Sequence, residues 1–210
     1  MSLRLVLLRH AETDWNRERR YQGVLDIGLS ETGRAQAVSA ARLLAPRPFA
    51  AVVSSPLSRA RSTAEAIAAG RGLTVRVDDA FSEMGFGTWE GLTIDEVRAQ
   101  FPDAARAFRE TPHATRVPGG ESLDEVRDRA LRGLARLRAE HEGETVCVVS
   151  HGVTARVLIL EALGLGLDRV WSLHVSPTGI SELEFRDDWS AVHRMNSLVH
   201  LDGLPAAGRG

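Results

Sequence analysis

The sequence has no lysine; all 26 of its basic side chains are arginine. Without an ε-amine the chain cannot be a Walker-type phosphate-loop NTPase, supply a kinase strand lysine or form a Schiff base. Codon preference accounts for most of this bias. Its consequence is that every basic group is a planar, permanently charged fork suited to phosphate and carboxylate. Cysteine is nearly absent too. Cys147 is the only one, inside the apolar run Thr145-Val146-Cys147-Val148-Val149, so no internal disulfide can form and a buried, inert thiol is expected. No apolar run approaches the length of a membrane span. The Leu3 to Leu8 run is shorter than the apolar region of a signal peptide and is followed by charge, which makes the cytoplasm the expected compartment. The formal charge is only −2, so there is no global basic field of the kind that nucleic-acid or membrane binding requires.

What is present is an alternation of short apolar runs with helical patterns over 210 residues, enough for one sizeable core. Strands are expected at Leu3 to Leu8, Phe49 to Val53, Leu73 to Val77 and Thr145 to Ser150. Two late strands follow, Ile180 to Phe185 and Ala191 to Met195, read as antiparallel at an edge. Between them, Ser30 caps a helix running to Leu44, and Ser54-Ser55-Pro56 opens another that continues to about Ala69, where Gly70 stops it. Ser122-Leu123-Asp124-Glu125 is a capping box that starts a long helix to about His141. Val153 to Leu163 is a further helix. From Ala80 to Gly120 the pattern is loose, with helical pieces at Thr93 to Phe101 and Asp103 to Glu110. Strands apolar on both faces, separated by helices, predict an α/β protein with a mostly parallel central sheet covered on both sides. A single domain over 1–202 is expected, with 203–210 as a disordered tail.

In such sheets ligands collect outside the carboxyl ends of the strands. His10 follows the first strand in Leu7-Leu8-Arg9-His10, and His151 follows the fourth in Val149-Ser150-His151-Gly152. If the two strands are parallel neighbours, both imidazoles face one crevice. Arg9 would lower the proton affinity of the adjacent imidazole and could hold an oxyanion; alone, it would equally suit a salt bridge to Glu12 or Asp14. Arg59 and Arg61 lie in the first turn of the helix opened at Ser55, where cations oppose the helix dipole unless an anion sits there. Glu83 is flanked by Phe81, Met84 and Trp89, a setting that could keep a carboxyl protonated for general-acid work. Trp89 is a minor candidate for substrate contact, and Arg109, His113 and Arg116 for recognising an anion. His174, His193 and His200 read as structural or exposed.

Taken together, "LLRHAETDWN", "YQG", "LSETGRAQA", "SSPLSRARSTAEAI", "FSEMGFGTWEG", "GGES" and "VVSHG" resemble, in order, the histidine phosphatase superfamily, also called the phosphoglycerate mutase-like family. The resemblance spans about Leu3 to Leu163. It implies a three-layer α/β/α sandwich and hydrolysis of small phosphorylated metabolites through a phosphohistidine. On that implication His10 attacks phosphorus, Arg9, Arg59 and His151 surround the transferring group, and Glu83 donates a proton to the leaving oxygen. Asn16, Gln22, Gly23 and Gly152 line the phosphate pocket. Neither metal nor cofactor is expected, because phosphoryl transfer needs mainly positioning and charge neutralisation, which two arginines and an imidazole supply. A cofactor-dependent mutase is the main alternative. It is disfavoured because 92–120 offers no adjacent arginine pair to grip a sugar acid; Ala11, where many relatives have glycine, argues weakly in the same direction. A non-catalytic phosphate-binding domain is disfavoured by the full set of reactive residues. A metallohydrolase built on His10, Glu12, Asp14 and His151 lacks HExxH-like spacing, and Gly164-Leu165-Gly166 follows a helix, unlike a dinucleotide-binding turn. A homodimer is left open.

Overall fold

The computed structural model describes residues 2–202; the expected tail at 203–210 lies outside them. In chain order the elements are β1 (Leu3–Arg9), α1 (Asp14–Arg17), α2 (Glu31–Leu44), β2 (Ala51–Ser54), α3 (Ser58–Ala68), β3 (Val75–Val77), α4 (Ile94–Gln100), α5 (Pro102–Glu110), α6 (Leu123–Glu140), β4 (Thr145–Ser150), α7 (Gly152–Leu163), β5 (Ile180–Phe185) and β6 (Ser190–Ser197). The six strands form one sheet in the order β3-β2-β4-β1-β5-β6. β1 to β4 are mutually parallel, and β5 and β6 run antiparallel on the β1 side.

The reason the strands read as apolar throughout is visible in β1. Leu3, Leu5 and Leu7 enter a core with Ala130, Leu134 and Leu137 of α6 and Leu158 and Ile159 of α7. Val6 and Leu8, facing the other way, pack with Ala40 and Leu44 of α2 and Ala60, Ala64 and Ile67 of α3. One strand therefore buries both faces, and the result is the expected α/β/α layering. Cys147 is enclosed in the second of these cores, and burial raises its thiol pKa to about 12.

The capping signals hold with one exception. Ser30 Oγ accepts from Gly33 N at 3.0 Å, and Ser122 and Glu125 cap each other's backbone amides. Ser55 is not the N-cap of α3: the helix starts at Ser58 and its N-cap position is Leu57, while Leu57 N donates to Ser55 Oγ at 3.2 Å and Ser58 N to Asp26 Oδ1 at 2.7 Å. The Ser55 hydroxyl also meets His151. The segment that read as loose, 80–120, is ordered by a third core, in which Met84, Phe86, Trp89, Val97 and Phe108 meet Leu123, Val126, Val157 and Val170. That core forms a roof beside the carboxyl end of the sheet, and it owes its order to partners far away in the chain.

Candidate active site

Register decides what faces what. β1 pairs with β4 so that Arg9 is opposite Ser150. The next residue on each strand, His10 and His151, therefore emerges side by side, with ring centroids 5.1 Å apart. His10 N donates to Ser150 O at 2.8 Å, fastening the two strand ends together. The His10 Nδ1 lies 2.7 Å from the Ala11 carbonyl. A carbonyl only accepts, so Nδ1 carries the proton and the lone pair is on Nε2. His151 is oriented differently. Its Nε2 is 2.6 Å from Ser55 Oγ, and its buried Nδ1 has no protein partner.

Both imidazoles are held well below the usual histidine pKa. Burial is the largest cause in each; for His10 the Arg59 and Arg9 charges follow, for His151 those of Arg59, His10 and Arg9. Both rings are therefore neutral, and His10 Nε2 has its lone pair available near neutral pH.

Arg59 projects from the first turn of α3, fully buried, and donates to the carbonyls of Leu25 and Gly23, each at 2.7 Å. Arg9 Nη1 donates to Val175 O at 2.8 Å. It does not pair with Glu12 or Asp14; both acids are engaged by Arg17. Burial, followed by the charges of Arg156 and Arg59, brings the Arg9 guanidinium down to about 10, with Glu83 opposing. Arg61, expected beside Arg59, is an exposed residue that pairs with Glu65 instead.

Glu83 is buried, but its carboxyl is not caged by apolar neighbours as its flanking residues suggested. Met84 and Trp89 turn into the third core, and the carboxyl accepts from Met84 N, Gly152 N and Val153 N at 3.0, 2.9 and 3.1 Å. It thus sits on the amino end of α7. Arg129 of α6 fixes the acid's loop by donating to the carbonyls of Ala80, Ser82 and Glu83.

A cavity of about 420 Å³ is lined by Arg9, His10, Asn16, Gln22, Gly23, Arg59, Glu83 and Gly152, among others, while His151, fully buried beside His10, is not one of its lining residues. Asn16 Oδ1 accepts from Thr13 N, and Gln22 Oε1 from Thr13 Oγ1, at 2.9 and 3.0 Å. Both carboxamide oxygens are thereby turned away and their NH2 groups left to donate. Gly23 has φ +52°, and a Cβ there would lie 1.9 Å from Glu90 Oε1, so only glycine fits. The Gly152 amide is occupied by Glu83, so that glycine contributes wall space and no phosphate donor. Arg109 reaches the cavity wall, whereas His113 and Arg116 do not. Trp89 is core, and Trp15 and Trp171 are the indoles that line the space.

Sequence reasoning missed three contributors. Ser55 read as a helix cap. Arg156, one turn into α7, carries no motif or flanking signal in the sequence that singles it out. Thr178 has φ +54°, rare for a β-branched residue, and its N–H is 3.1 Å from Arg9 O and 3.3 Å from His10 O. A Pro-Thr-Gly turn just before a strand was the only available hint of it.

Residues 5–198 match the family profile of the histidine phosphatase superfamily (branch 1). Phosphoserine phosphatase 1 of Hydrogenobacter thermophilus is 36% identical over 199 residues, 95% of this chain and 94% of that protein. A bifunctional protein of Mycobacterium tuberculosis is 42% identical over 200 residues, and this chain spans 55% of its length. Among solved structures, the mycobacterial glucosyl-3-phosphoglycerate phosphatase Rv2419c complexed with VO3 superposes with a TM-score of 0.86. It shares 35% identity, over 93% of this chain and 99% of that one. With the profile covering nearly the whole chain, and paired strand-end histidines of which His10 lines an arginine-rich cavity, this protein belongs to the histidine phosphatase superfamily.

Proposed function

We propose that the protein is a metal-independent phosphomonoesterase acting on small phosphorylated metabolites through a phosphohistidine on His10. The observation that carries this reading is the His10 ring, locked by Ala11 O with a free Nε2 and held neutral by burial and two guanidinia. Nε2 attacks phosphorus in line as the ester P–O bond breaks. The Arg9 and Arg59 charges neutralise the equatorial oxygens, and the His151 ring helps to position them, as do the NH2 groups of Asn16 and Gln22. Glu83 gives its proton to the departing alkoxide. As a carboxylate it then takes a proton from water, whose oxygen attacks the phosphohistidine, releasing inorganic phosphate and restoring Nε2. The names of the phosphatase relatives support the same chemistry for a small substrate.

The cytoplasm is the compartment that fits a buried free thiol; among the described residues no helix is long and apolar enough to cross a membrane. A homodimer would find its surface at the sheet edge formed by β6, and sedimentation velocity decides between one copy and two.

The function is tested by hydrolysis of a labelled aryl phosphate in excess chelator, with a quench in alkaline detergent to trap labelled phosphoprotein. Wild-type protein should turn over and accumulate acid-labile label, and His10→Ala should do neither. Unchanged turnover in His10→Ala removes the assigned nucleophile. Product analysis on phosphoglycerates separates free phosphate from a positional isomer, and hence phosphatase from mutase.

A further inference from the structure

The backbone that carries the nucleophile is held from both neighbouring strands, by unlike devices. On the β4 side, His10 N donates to Ser150 O. On the other side the ladder to β5 stops at Leu8, opposite Ile180. Beyond it the Thr178 N–H reaches across, 3.1 Å from Arg9 O and 3.3 Å from His10 O, the carbonyls on either side of the His10 Cα. Thr178 is fully buried and left-handed at φ +54°. A β-branched residue stays in that conformation only when its surroundings fix it.

Two residues from the end of β6 onward do the fixing. Asn196 Oδ1 accepts from Ser176 N at 2.8 Å, and its Nδ2 donates to Ser176 Oγ at 3.3 Å, which holds the start of the turn. His200 holds Thr178 itself. The Thr178 hydroxyl donates to Pro177 O at 2.8 Å, which uses its proton, so toward His200 Nε2, 3.0 Å away, it accepts. His200 is thereby the Nε2–H tautomer, with its lone pair on Nδ1, the buried ring atom that has no partner. Burial lowers the pKa of this ring and keeps it neutral. Its backbone is tied to α2, where Ser39 Oγ donates to His200 O.

A continuous run of hydrogen bonds thus leads from α2 through Ser39, His200 and Thr178 to the nucleophile's own peptide groups. His200, which the sequence leaves without a partner motif, is not among the residues that line the cavity. Its influence on chemistry must pass through Thr178. Resting on the phosphatase reading above, we propose that His200 is a positioning residue for the nucleophile: its Nε2–H locks Thr178 in the left-handed turn that sets the His10 backbone, and with it the line along which Nε2 meets phosphorus.

The test reads kcat on an aryl phosphate, divided by the fraction of chains that take up labelled phosphate in a burst, alongside the melting temperature. Misplacing a reacting group by an ångström can cost about a hundredfold; a turn relaxed two links away should cost less. His200→Leu removes the donor, and kcat per active site should fall about fivefold or more with KM within about twofold. His200→Gln puts an amide N–H near the place of Nε2 and should recover most of that loss. A residue that merely anchors its segment to α2 would lower the melting temperature and the active fraction while leaving kcat per site alone. In a Thr178→Gly background no hydroxyl remains to be held, so adding His200→Leu should cost less than about twofold more. Losses that multiply in the double variant, an unchanged kcat per site in His200→Leu, or a His200→Gln no better than His200→Leu each overturn the proposal. If His200→Leu does not fold, His200→Asn, whose shorter amide stops before the Thr178 hydroxyl, is judged by the same criteria. Absence of turnover in wild-type protein defeats the phosphatase reading alone. The lock is then judged by the His10 amide signal in proton–nitrogen correlation spectra, which should move in His200→Leu and return in His200→Gln; an unmoved signal refutes it.

Discussion

Two neutral, buried imidazoles make the fold sensitive to mild acid in a way that can be worked out from the site. His10 and His151 both have native pKa values pushed well below 6.5, with burial the leading cause and the Arg59 charge next. In the unfolded chain each recovers an ordinary value. A lowered native pKa means that the unfolded state binds more protons below pH 6.5, so the slope of unfolding free energy with pH is positive there. The stability is complete above pH 6.5 and is lost as the pH falls toward the native pKa values. Each histidine contributes about 1.4 kcal/mol per pH unit while its native form stays neutral. A ring that stays neutral in the native state down to pH 5.0 costs about 1.6 kcal/mol between pH 6.5 and 5.0, and two such rings about 3 kcal/mol, a large share of the ~5–15 kcal/mol of a typical domain. His200, also lowered by burial, acts in the same direction. The charged groups around the pair include Arg9, Arg59, Arg129 and Glu83, so the effect must be isolated by substitution. Urea titrations monitored by circular dichroism between pH 5.0 and 7.5 should give a slope reduced by about half in His151→Gln and again in the His10→Gln/His151→Gln double variant. A wild-type slope that persists in the double variant would refute the claim that these two rings carry it.

The remaining expectations are local. Gly33→Ala places a Cβ 1.9 Å from the Glu12 carbonyl oxygen, backbone against backbone two residues past His10; a loss of about 3 kcal/mol is expected in chemical denaturation, and a cost under 0.5 kcal/mol would contradict this close approach. Thr178→Gly relieves a left-handed threonine while loosening the strap across Arg9 O and His10 O. Its melting temperature should hold within a few degrees while kcat drops about tenfold, and an unchanged kcat would mean that the strap does not position the nucleophile. Ser55→Ala removes the one hydrogen-bond partner of the His151 ring among the described residues, the hydroxyl 2.6 Å from Nε2. It should lower kcat/KM by about tenfold with little change in melting temperature, whereas an equal fall in both would assign Ser55 to folding.

The sheet and its chemistry were legible for the same reason. β1 and β4 are apolar on both faces because helices cover both, and parallel pairing puts the residues that follow them at one edge. Arg9-His10 and Ser150-His151 thus announce the crevice from their positions alone. Arg59 was legible because a cation in a helix's first turn conflicts with the dipole, although the same argument wrongly promoted Arg61, which resolves the conflict by facing water and Glu65. Illegible features are those whose meaning comes from a distant partner. Nothing near Ser55 encodes His151, 96 positions away, and a serine before a proline reads locally as a cap. The surroundings of Glu83 misled because adjacent side chains need not share a direction: Met84 and Trp89 go to the roof core while the carboxyl goes to α7. Arg156 is the sharpest case. As a helical arginine it is unremarkable in the sequence; it acquires meaning only when Leu173 and Gly152 clamp it beside the acid with no carboxylate of its own. Strand ends thus disclose where a crevice opens, while the groups that surround it are written in tertiary contacts.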